Sequence, residues 1–295
     1  MKINDLVFSV VGGDLRNACL ASSLSAAGYK VYALFFDREV ALAEKVIRSD
    51  DIRSALEDSD VMILPLPSTL DDVTVNSPFS LNKILLTDCI AAAGANTLIL
   101  AGKVTPGLYH MAQQAGVEIV DYLEREEFSV LNAIPTAEGA VAIAMEELPI
   151  TLFASSCLVT GFGRVSKALV RLLLGMGAHV TVAARKFSDL AWAKSWGAQA
   201  VQISQMKQIA HQFDVVFNSV PAPVIDREIL SVLKRDCLVV DLASRPGGVD
   251  FALAKELQIR AIWALSLPGK VAPVTAGEII RDTVLNIVSE KAGLV

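Results

Sequence analysis

Residues 158–186 read LVTGFGRVSKALVRLLLGMGAHVTVAARK, and this stretch decides the fold. A β-type run over 157–160 breaks at Gly161, and a helix with apolar residues at helical spacing follows. A second strand, His179–Ala184, then ends at Arg185. The stretch therefore predicts one strand–helix–strand unit with Gly-x-Gly at the turn into the helix.

The glycine turn has the properties of a site for a dinucleotide pyrophosphate. Gly161 permits the tight turn, Gly163 lets the backbone approach the phosphates, and free N–H groups at the helix start point at the anion. Ser166 occupies the third motif position, where glycine or alanine is usual. The alternative interpretation is a plain α/β turn that binds no ligand.

The tip of the second strand predicts which dinucleotide binds. An acidic residue there would bond a ribose 2′-hydroxyl, whereas Arg185, Lys186 and Ser188 offer positive charge and donors to a 2′-phosphate. The sequence therefore predicts NADP as the cofactor. The expected cofactor-binding residues are Gly161, Phe162, Gly163, Arg164, Val165, Arg185, Lys186, Ser188, Asn218, Ser219, Val220, Pro221, Leu242, Ala243, Val271 and Pro273.

Composition limits the classes of protein to consider. A length of 295 residues suggests about two domains, and 53% hydrophobic residues give each a substantial core. A net charge of −6 argues against a nucleic-acid partner or an anionic membrane surface. The most apolar stretch, 139–160, is interrupted by charges and a proline, and no secretory signal is visible, so we expect no membrane span and a cytoplasmic protein.

Cysteine and histidine spacing predicts no metal site. The three histidines are isolated, and the four cysteines are far apart, which is typical of free thiols in a reduced cytosol. The cysteines are Cys19, Cys89, Cys157 and Cys237.

Strand-like and helical runs alternate through both halves of the chain. The strand-like runs are 6–11, 30–36, 61–66, 97–101 and 117–122, then 157–160, 180–184, 214–220, 238–242 and 261–265. Near-continuous apolar strands separated by helices indicate parallel sheets covered on both faces. The predicted fold class is α/β, with two doubly wound, Rossmann-like parallel-sheet domains joined by interdomain helices.

The domain boundaries follow from two helical patterns. The segment 135–149 is predicted as a connecting helix, capped near Asn132 or Thr136 and ended by Pro149. The pattern over 275–290 predicts a last helix that packs back on the first domain. We therefore expect a substrate and catalytic domain over 1–134 plus 276–295, an NADP-binding domain over 150–275, and a hinged cleft between them.

Loops at strand ends in the first half are candidate sites, because ligands of such sheets bind at the carboxyl ends of strands. The loop 12–16 reads Gly-Gly-Asp-Leu-Arg and predicts either a second anion site or a tight turn capped by Asp14. Ser68 either donates to a carboxylate or caps a helix. Glu124 and Arg125 follow the last strand of this half and form either a site or a surface ion pair.

The second half offers further candidates at its strand ends. The loop 241–248 places Arg245 where its guanidinium could hold a substrate carboxylate bidentately. The alternative is a turn in which Arg245 bonds Asp241 or nearby carbonyls. The stretch 267–275 is predicted to be a rigid loop lining the cofactor, with Lys270 as either a substrate contact or a solvated lysine.

Taken together, six blocks resemble the A subunits of dipicolinate synthase, and the resemblance covers nearly the whole chain. In order they are 12–16, 124–125, 132–139, 161–164, 241–248 and 268–277. The strings Asp-Leu-Ala-Ser-Arg-Pro-Gly-Gly and Pro-Gly-x-Val-Ala-Pro-x-Thr-Ala-Gly are long and uncommon, so the resemblance is specific.

The resemblance implies an NADP-dependent oxidoreductase that works with a separate, flavoprotein-like B subunit. It implies oxidation of a dihydrodipicolinate-type product of the lysine pathway to dipicolinate, pyridine-2,6-dicarboxylate, in the mother cell of a sporulating bacterium. On this reaction we expect Arg245 and Arg125 to hold the substrate carboxylates, and Glu124 or Glu138 to accept the proton. Whether the chain forms a homo-oligomer is left open.

Three other functions fit parts of the sequence. The 241–250 loop resembles that of 2-hydroxyacid dehydrogenases, but the loop 267–275 lacks the histidine they pair with their arginine. The Pro-Gly-x-Val-x-Pro-x-Thr string resembles methylenetetrahydrofolate dehydrogenase, but no tyrosine–lysine pair is evident in the first half. The chain is alternatively an NADP-binding scaffold whose partner holds the catalytic residues.

Overall fold

The structure is a computed structural model that describes residues 5–37, 40–94 and 96–293. The chain divides into two compact units, 1–131 with 272–295, and 132–271. The first boundary falls inside a long helix, whereas the sequence pattern placed the connecting helix at 135–149 and the end of the second domain at 275.

Each unit contains a six-stranded parallel sheet among its described residues. The strands of the first unit are β1 Val7–Val11, β2 Lys30–Leu34, β3 Ile47–Ser49, β4 Val61–Ile63, β5 Leu98–Ala101 and β6 Ile119–Asp121. Those of the second are β7 Ser156–Thr160, β8 His179–Ala184, β9 Gln199–Gln202, β10 Val215–Asn218, β11 Leu238–Asp241 and β12 Arg260–Trp263. The orders are β3-β2-β1-β4-β5-β6 and β12-β11-β10-β7-β8-β9, which confirms two doubly wound sheets.

Helices cover these sheets. They are α1 Leu15–Ala26, α2 Ile52–Glu57, α3 Leu86–Ala92, α4 Pro106–Ala115, α5 Glu126–Glu147, α6 Arg164–Gly175, α7 Phe187–Ser195, α8 Met206–Ile209, α9 Arg227–Leu230, α10 Phe251–Glu256, α11 Leu267–Val271 and α12 Pro273–Lys291. Apolar side chains form separate clusters on the two faces of each sheet, because strands buried on both faces need a core on each side.

Strand order predicts where a ligand would bind in each unit. In each sheet the second and third strands in chain order lie on one side of the first strand, and the fourth to sixth lie on its other side. The strand order therefore reverses beside the first strand. This topological switch point lies between β1 and β4 in the first unit, and between β7 and β10 in the second. Ligands of doubly wound sheets bind at this point, outside the carboxyl ends of the strands.

The edge strands β3 and β9 escaped prediction from the sequence. Each is short and partly polar, reading Ile-Arg-Ser and Gln-Ala-Val-Gln, and none of their residues is fully buried. An edge strand has one neighbour and one open side, so it needs no continuous apolar run. The ten predicted strands all correspond to strands of the structure, although most are shorter than their apolar runs.

The expected start of the connecting helix is wrong. Helix α5 begins at Glu126, and Pro135 lies inside it rather than in its first turn. Proline cannot donate to the carbonyl four residues earlier. The hydroxyl of Thr136 donates to the Asn132 carbonyl at 2.8 Å. Both residues lie inside α5, so neither caps its start.

The expected loop at 267–275 is also wrong, because most of it is helical. Residues 267–271 form α11, which includes Lys270, and Pro273 already begins α12. Proline fits the first turn of a helix, where its missing N–H would be unpaired in any case. The predicted cofactor-lining residues Val271 and Pro273 therefore lie at a helix end and a helix start.

Helix α12 belongs to the first unit and packs against α1. The contact is close at Gly277, where a Cβ would lie 2.6 Å from the Arg16 carbonyl oxygen and 2.8 Å from the Cys19 Cβ. Glycine is thus required for the two helix backbones to approach, which sets the position of the turn at the start of α1.

Candidate functional site

The turn after β7 has the backbone that the glycine pattern predicts. Gly161 has φ +79°, and its N–H donates to the Ala183 carbonyl at 2.8 Å. A Cβ at Gly161 would lie 2.9 Å from the Ser219 Oγ and 3.0 Å from a Val220 methyl group. Only glycine combines this φ with this space, so the turn depends on it.

Gly163 leaves the start of α6 open. It is the N-cap of α6, no side chain caps the first turn, and no atom lies within 4 Å of where its Cβ would be. The first N–H groups of α6, which include those of Arg164 and Val165, are donors that a helix does not use internally. Phe162 is buried and packs against Trp196 with ring centroids 5.2 Å apart, so the backbone of Phe162 is the part available to a ligand.

Ser166 departs from the usual motif without leaving an unpaired group. Its side chain is fully buried, and its hydroxyl lies 2.7 Å from that of Ser219. The Ser219 hydroxyl in turn donates to the Thr160 carbonyl at 2.9 Å. Two serines therefore tie the start of α6 to the end of β10, at the position where a smaller residue would otherwise pack.

A buried polar network joins the ends of β7, β10 and β11. The Thr160 hydroxyl donates to the Asn218 Oδ1 at 2.5 Å, and the Asn218 Nδ2 donates to the Asp241 Oδ1 at 2.7 Å. Asp241 also accepts the N–H groups of Ala243 at 3.1 Å and Gly248 at 2.8 Å. Because the Asn218 amide is bonded on both sides and fully buried, it shapes the loop that follows rather than facing a ligand.

The loop after β10 closes tightly on the loop after β11. The Asn218 amide bonds both backbone polar groups of Val220, accepting from its N–H at 3.1 Å and donating to its carbonyl at 3.0 Å. A Cβ at Gly248 would lie 2.3 Å from that Val220 carbonyl oxygen. Ser219 and Val220 stay half-buried at this edge and Pro221 is exposed, while Leu242 is half-buried and Ala243 buried.

The basic tip of β8 is open to solvent. Arg185, Lys186 and Ser188 are all exposed, directly after Ala184, the last residue of the strand. The parallel strands β7 and β8 end at the same edge of the sheet, so this tip lies on the side where the Gly161 turn begins α6. Binding of a 2′-phosphate by these side chains stays a prediction.

Arg245 is exposed, and its guanidinium carbon lies 5.8 Å from the centre of the Trp263 ring. The alternative pairing with Asp241 is not observed, because the Asp241 oxygens accept from Asn218 and from two backbone N–H groups. Trp263 is held in place because its Nε1–H donates to the Ala243 carbonyl at 3.0 Å. A guanidinium on a fixed aromatic ring keeps its bidentate edge for an anion.

In the first unit, the loop 12–16 forms the capped turn. Gly12 and Gly13 have φ +63° and +98°, and the Asp14 carboxylate accepts the Arg16 backbone N–H at 3.0 Å. The Arg16 side chain bonds the same carboxylate, with Nη2–Oδ2 at 2.8 Å. Ser68 is fully buried and donates to the Lys103 carbonyl at 3.2 Å, so it neither caps a helix nor faces a substrate.

Arg125 already has carboxylate partners in the first unit. Its Nη1 and Nη2 lie 2.7 and 2.5 Å from the two oxygens of Glu290, and its Nε lies 2.8 Å from Glu127. Hydrogen bonds with Glu290 and then Glu127 raise the pKa of Arg125 above its usual value. Arg125 and the exposed Glu124 border a cavity of about 630 Å³ with Tyr109.

Glu138, one of the two predicted proton acceptors, is exposed on α5 and belongs to the second unit, while Glu124, the other, belongs to the first.

The sequence analysis missed Asn17, whose buried amide has no hydrogen-bond partner among the described residues. Its position three residues into α1, on the face that carries Leu20 and Leu24, was the available signal.

Comparison with known proteins supplies the family. The model of the N-terminal domain of the dipicolinate synthase A subunit matches residues 7–123, and that of shikimate/quinate 5-dehydrogenase matches 142–262. The dipicolinate synthase A subunit of Bacillus subtilis strain 168 is 29% identical over 289 residues, which cover 98% of this chain and 97% of that protein.

Two solved structures are similar over nearly the whole chain. The crystal structure of dipicolinate synthase A chain from Bacillus subtilis is 30% identical, covers 97% of this chain and 96% of its own, and has a TM-score of 0.86. That of the dipicolinate synthase A subunit from Bacillus halodurans is 29% identical, covers 96% and 98%, and has a TM-score of 0.88. The chain belongs to the dipicolinate synthase A-subunit family.

Membership in the dipicolinate synthase A-subunit family sets the broad chemistry. The fold is of the Rossmann dehydrogenase type, which indicates an oxidoreductase and implies a nicotinamide dinucleotide cofactor. The second unit fits that cofactor, because Gly161 shapes the turn and Gly163 leaves the first N–H groups of α6 uncapped. In the part of the chain that the structure describes, no three His, Cys, Asp or Glu side chains are grouped to hold a metal ion.

Among the residues that the structure describes, one helix is long and apolar enough to cross a membrane by length and composition alone. It is α5, and 44% of its most apolar window is buried. Ala137, Ala140 and Ala144 of α5 pack in the core of the second unit, as the residues of a core helix do.

Proposed function

We propose that this chain is the A subunit of an NADP-dependent dipicolinate synthase, which oxidises a dihydrodipicolinate-type precursor to dipicolinate during sporulation. In this proposal it works with a flavoprotein-like B subunit in the cytoplasm of the mother cell. The observation that supports it most is the open Gly161 turn at the switch point of a dehydrogenase-type sheet, in a chain similar over its whole length to the A subunits of dipicolinate synthase.

The second unit is proposed to hold the cofactor. Gly161 would shape the turn, and backbone N–H groups from Phe162 to Val165 would bind the pyrophosphate. Arg185, Lys186 and Ser188 would bind the 2′-phosphate. The loops after β10 and β11, with Ser219 to Pro221 and Leu242 to Ala243, would line the ribose and nicotinamide. When bound, NADP supplies the acceptor for the two electrons that the oxidation removes.

The first unit is proposed to hold most of the substrate, and Arg245 of the second unit to bind one carboxylate. Two observations support this role for Arg245: the residue is exposed, and its guanidinium lies over the Trp263 ring. Both leave the edge of the guanidinium available. Arg125 would bind the other carboxylate by exchanging Glu290 for it, since both guanidinium edges are occupied in the structure. Glu124 or Glu138, both exposed, would accept the proton.

The proposed reaction is tested by following NADPH formation from dihydrodipicolinate, with the purified chain alone and with the B subunit. Activity of the chain alone, or activity that needs both proteins and is lost when Arg245 of this chain is replaced, supports an enzyme. A scaffold without catalytic residues predicts no activity alone and turnover with the B subunit that is insensitive to replacement of Arg245, Glu124 and Glu138.

Arg245→Ala tests the carboxylate-binding role directly. A charge-assisted bidentate contact contributes about 1.5–3 kcal/mol, so the substrate KM should rise by roughly 10-fold or more, or turnover should cease. The NADP Kd should stay within about twofold, and Arg235→Ala, a change at another exposed arginine of this unit, should alter neither value. Loss of NADP binding in Arg245→Ala would reject the role.

A further inference from the structure

The turn after β1 holds a buried amide that bonds nothing in the described protein. Asn17 is 1% exposed, and neither its Nδ2 nor its Oδ1 has a hydrogen-bond partner among the described residues. Buried side-chain amides are nearly always bonded, because an unsatisfied donor or acceptor keeps its full desolvation cost. Such an amide therefore marks a place where a molecule from outside the chain supplies the partner.

The amide is directed at the turn. A Cβ on Gly13 would lie 2.3 Å from the Asn17 Cγ and 2.3 Å from its Oδ1, so the amide lies against the Gly13 backbone. Gly13 in turn donates its N–H to the Asn76 carbonyl at 3.0 Å. This is the carboxyl end of β1 beside β4, which is the switch point of the first sheet.

The second unit offers an internal comparison at the same place in its own sheet. Gly12 and Gly161 both follow the first strand with positive φ, and both donate their N–H to the end of the next strand. Ser166 is the third residue of α6, and its hydroxyl is bonded to that of Ser219. Asn17 is the third residue of α1, at the corresponding position, and it has no such partner within the described chain.

Charge decides which ligand fits the first unit. Gly163 leaves the start of α6 uncapped, whereas the Asp14 carboxylate occupies the start of α1 and is paired with Arg16. A phosphate cannot take a place that a carboxylate already fills, which excludes a second dinucleotide. The Asn17 amide is closed off from solvent beside Arg16, which is itself only 6% exposed, so a smaller anion reaches the amide when the turn at Gly12 and Gly13 opens.

We propose that Asn17 and the turn at Gly12 and Gly13 form a subsite for a ring carboxylate of a pyridine- or dihydropyridine-dicarboxylate. The Asn17 Nδ2 donates to a carboxylate oxygen, and the neighbouring charges of Arg16 and Asp14 balance each other, so the amide is the group that recognises the carboxylate. The inference rests on the proposed function for the identity of the dicarboxylate. It gives the carboxylate of the first unit to the Asn17 amide in place of Arg125, whose guanidinium is already bonded to Glu127 and Glu290.

The test is the binding of dipicolinate to the full chain, by isothermal titration calorimetry without the B subunit. Asn17→Leu keeps the side-chain volume and removes the amide, so the dipicolinate Kd should rise by about 10-fold or more. Thermal stability should be unchanged or higher, because leucine removes an unsatisfied buried polar group. The matched control is Asn286→Leu, the same change at an exposed position of α12, which should leave the dipicolinate Kd unaltered.

An unaltered Kd in Asn17→Leu would overturn the subsite, because the amide would then bond only buried water. If Asn17→Leu does not fold, the Asn17 side-chain NMR resonance in the unmodified chain decides the matter. Dipicolinate should shift the Asn17 resonance during a titration. A resonance that does not move at saturating dipicolinate would reject the subsite.

The outcomes also separate this inference from the proposed reaction. Dipicolinate binding that depends on Asn17, without NADPH formation in the presence of the B subunit, supports the subsite and rejects the reaction. NADPH formation with the same substrate KM in Asn17→Leu overturns the subsite and leaves the reaction in place.

Discussion

At the residue scale, three exposed side chains at the tip of β8 are expected to select the dinucleotide. Arg185→Asp removes a cation and presents a carboxylate suited to a ribose 2′-hydroxyl. A charge-assisted contact contributes about 1.5–3 kcal/mol, so the NADP Kd should rise by roughly 10- to 100-fold while the NAD Kd holds or falls. Fluorescence titration with NADPH and NADH measures both values.

The matched control for that change is Lys194→Asp, which alters the charge by the same amount at an exposed site on α7. It should leave both dissociation constants within about twofold, since exposed charges beyond a Debye length of about 10 Å are screened. Equal weakening of NADP binding by the two variants would show that net charge, rather than Arg185, sets the preference.

A second residue-scale prediction concerns the buried amide that joins three strand ends. Asn218→Leu would leave the Thr160 hydroxyl and the Asp241 carboxylate short of a partner each. Unsatisfied buried groups of this kind cost about 1–3 kcal/mol each, so the free energy of unfolding should fall by about 2–6 kcal/mol. Urea unfolding measures this free energy. A decrease smaller than about 0.5 kcal/mol would contradict the structural role of the network.

At the element scale, the close approach of α12 to α1 depends on Gly277. Gly277→Ala would place a methyl group under 3 Å from backbone atoms of α1, and overpacking of this kind costs about 1–3 kcal/mol. The control is Gly175→Ala in α6, where the added Cβ meets nothing within 4 Å and alanine is the better helix former by up to about 1 kcal/mol. In urea unfolding, the free energy of unfolding should fall in Gly277→Ala and rise in Gly175→Ala.

The ion pair between the turn after β6 and α12 predicts a pH dependence. Its hydrogen bonds to Arg125 lower the pKa of Glu290, so the folded value lies below the unfolded one. The stabilisation is therefore present above the unfolded pKa of about 4.3 and is lost as the pH falls through the folded value. In Glu290→Gln the urea midpoint should change less between about pH 6 and pH 3 than in the unmodified chain. An equal change in the two chains would show that the ion pair does not contribute to stability.

Elements also differ in how far the sequence predicts them. Central strands such as β10 were predictable, because burial on both faces demands a continuous apolar run. The start of α5 was not, because Pro135 is typical of a first turn and only the packing around it shows a helix running through. For the same reason, Pro268 and Gly269 indicated a loop where the structure has α11.

At the scale of the whole molecule, burial controls thiol reactivity. Burial raises the pKa of Cys89 and Cys237 to about 12 and of Cys157 to about 11, and it also raises that of the half-buried Cys19. The thiolate fraction at pH 8 is then roughly a thousandth or less for the three buried thiols. Ellman's reagent should react slowly with the native chain, starting at Cys19, and with four thiols after denaturation. Rapid reaction of two or more native thiols would contradict this burial.

The two units repeat one strand order but differ in the chemistry of the first turn. In the second unit the turn contributes uncapped N–H groups at Gly163, and in the first the Asp14 carboxylate fills that place. A nicotinamide dinucleotide is therefore expected to bind at the turn of the second unit, and the turn of the first is left for a smaller anion.

Local sequence was enough to predict the central strands of both sheets, the glycine turn at Gly161 and the basic tip at Arg185. These features rest on local rules, since apolar periodicity, glycine's positive φ and charge at a strand end can be read within a few residues. The folded chain was needed to show that Arg125 pairs with Glu290, that Asn218 is buried among Thr160 and Asp241, and that Asn17 has no partner in the described protein. Hydrogen bonds between residues distant in sequence depend on where the chain folds back, and no local pattern encodes that position.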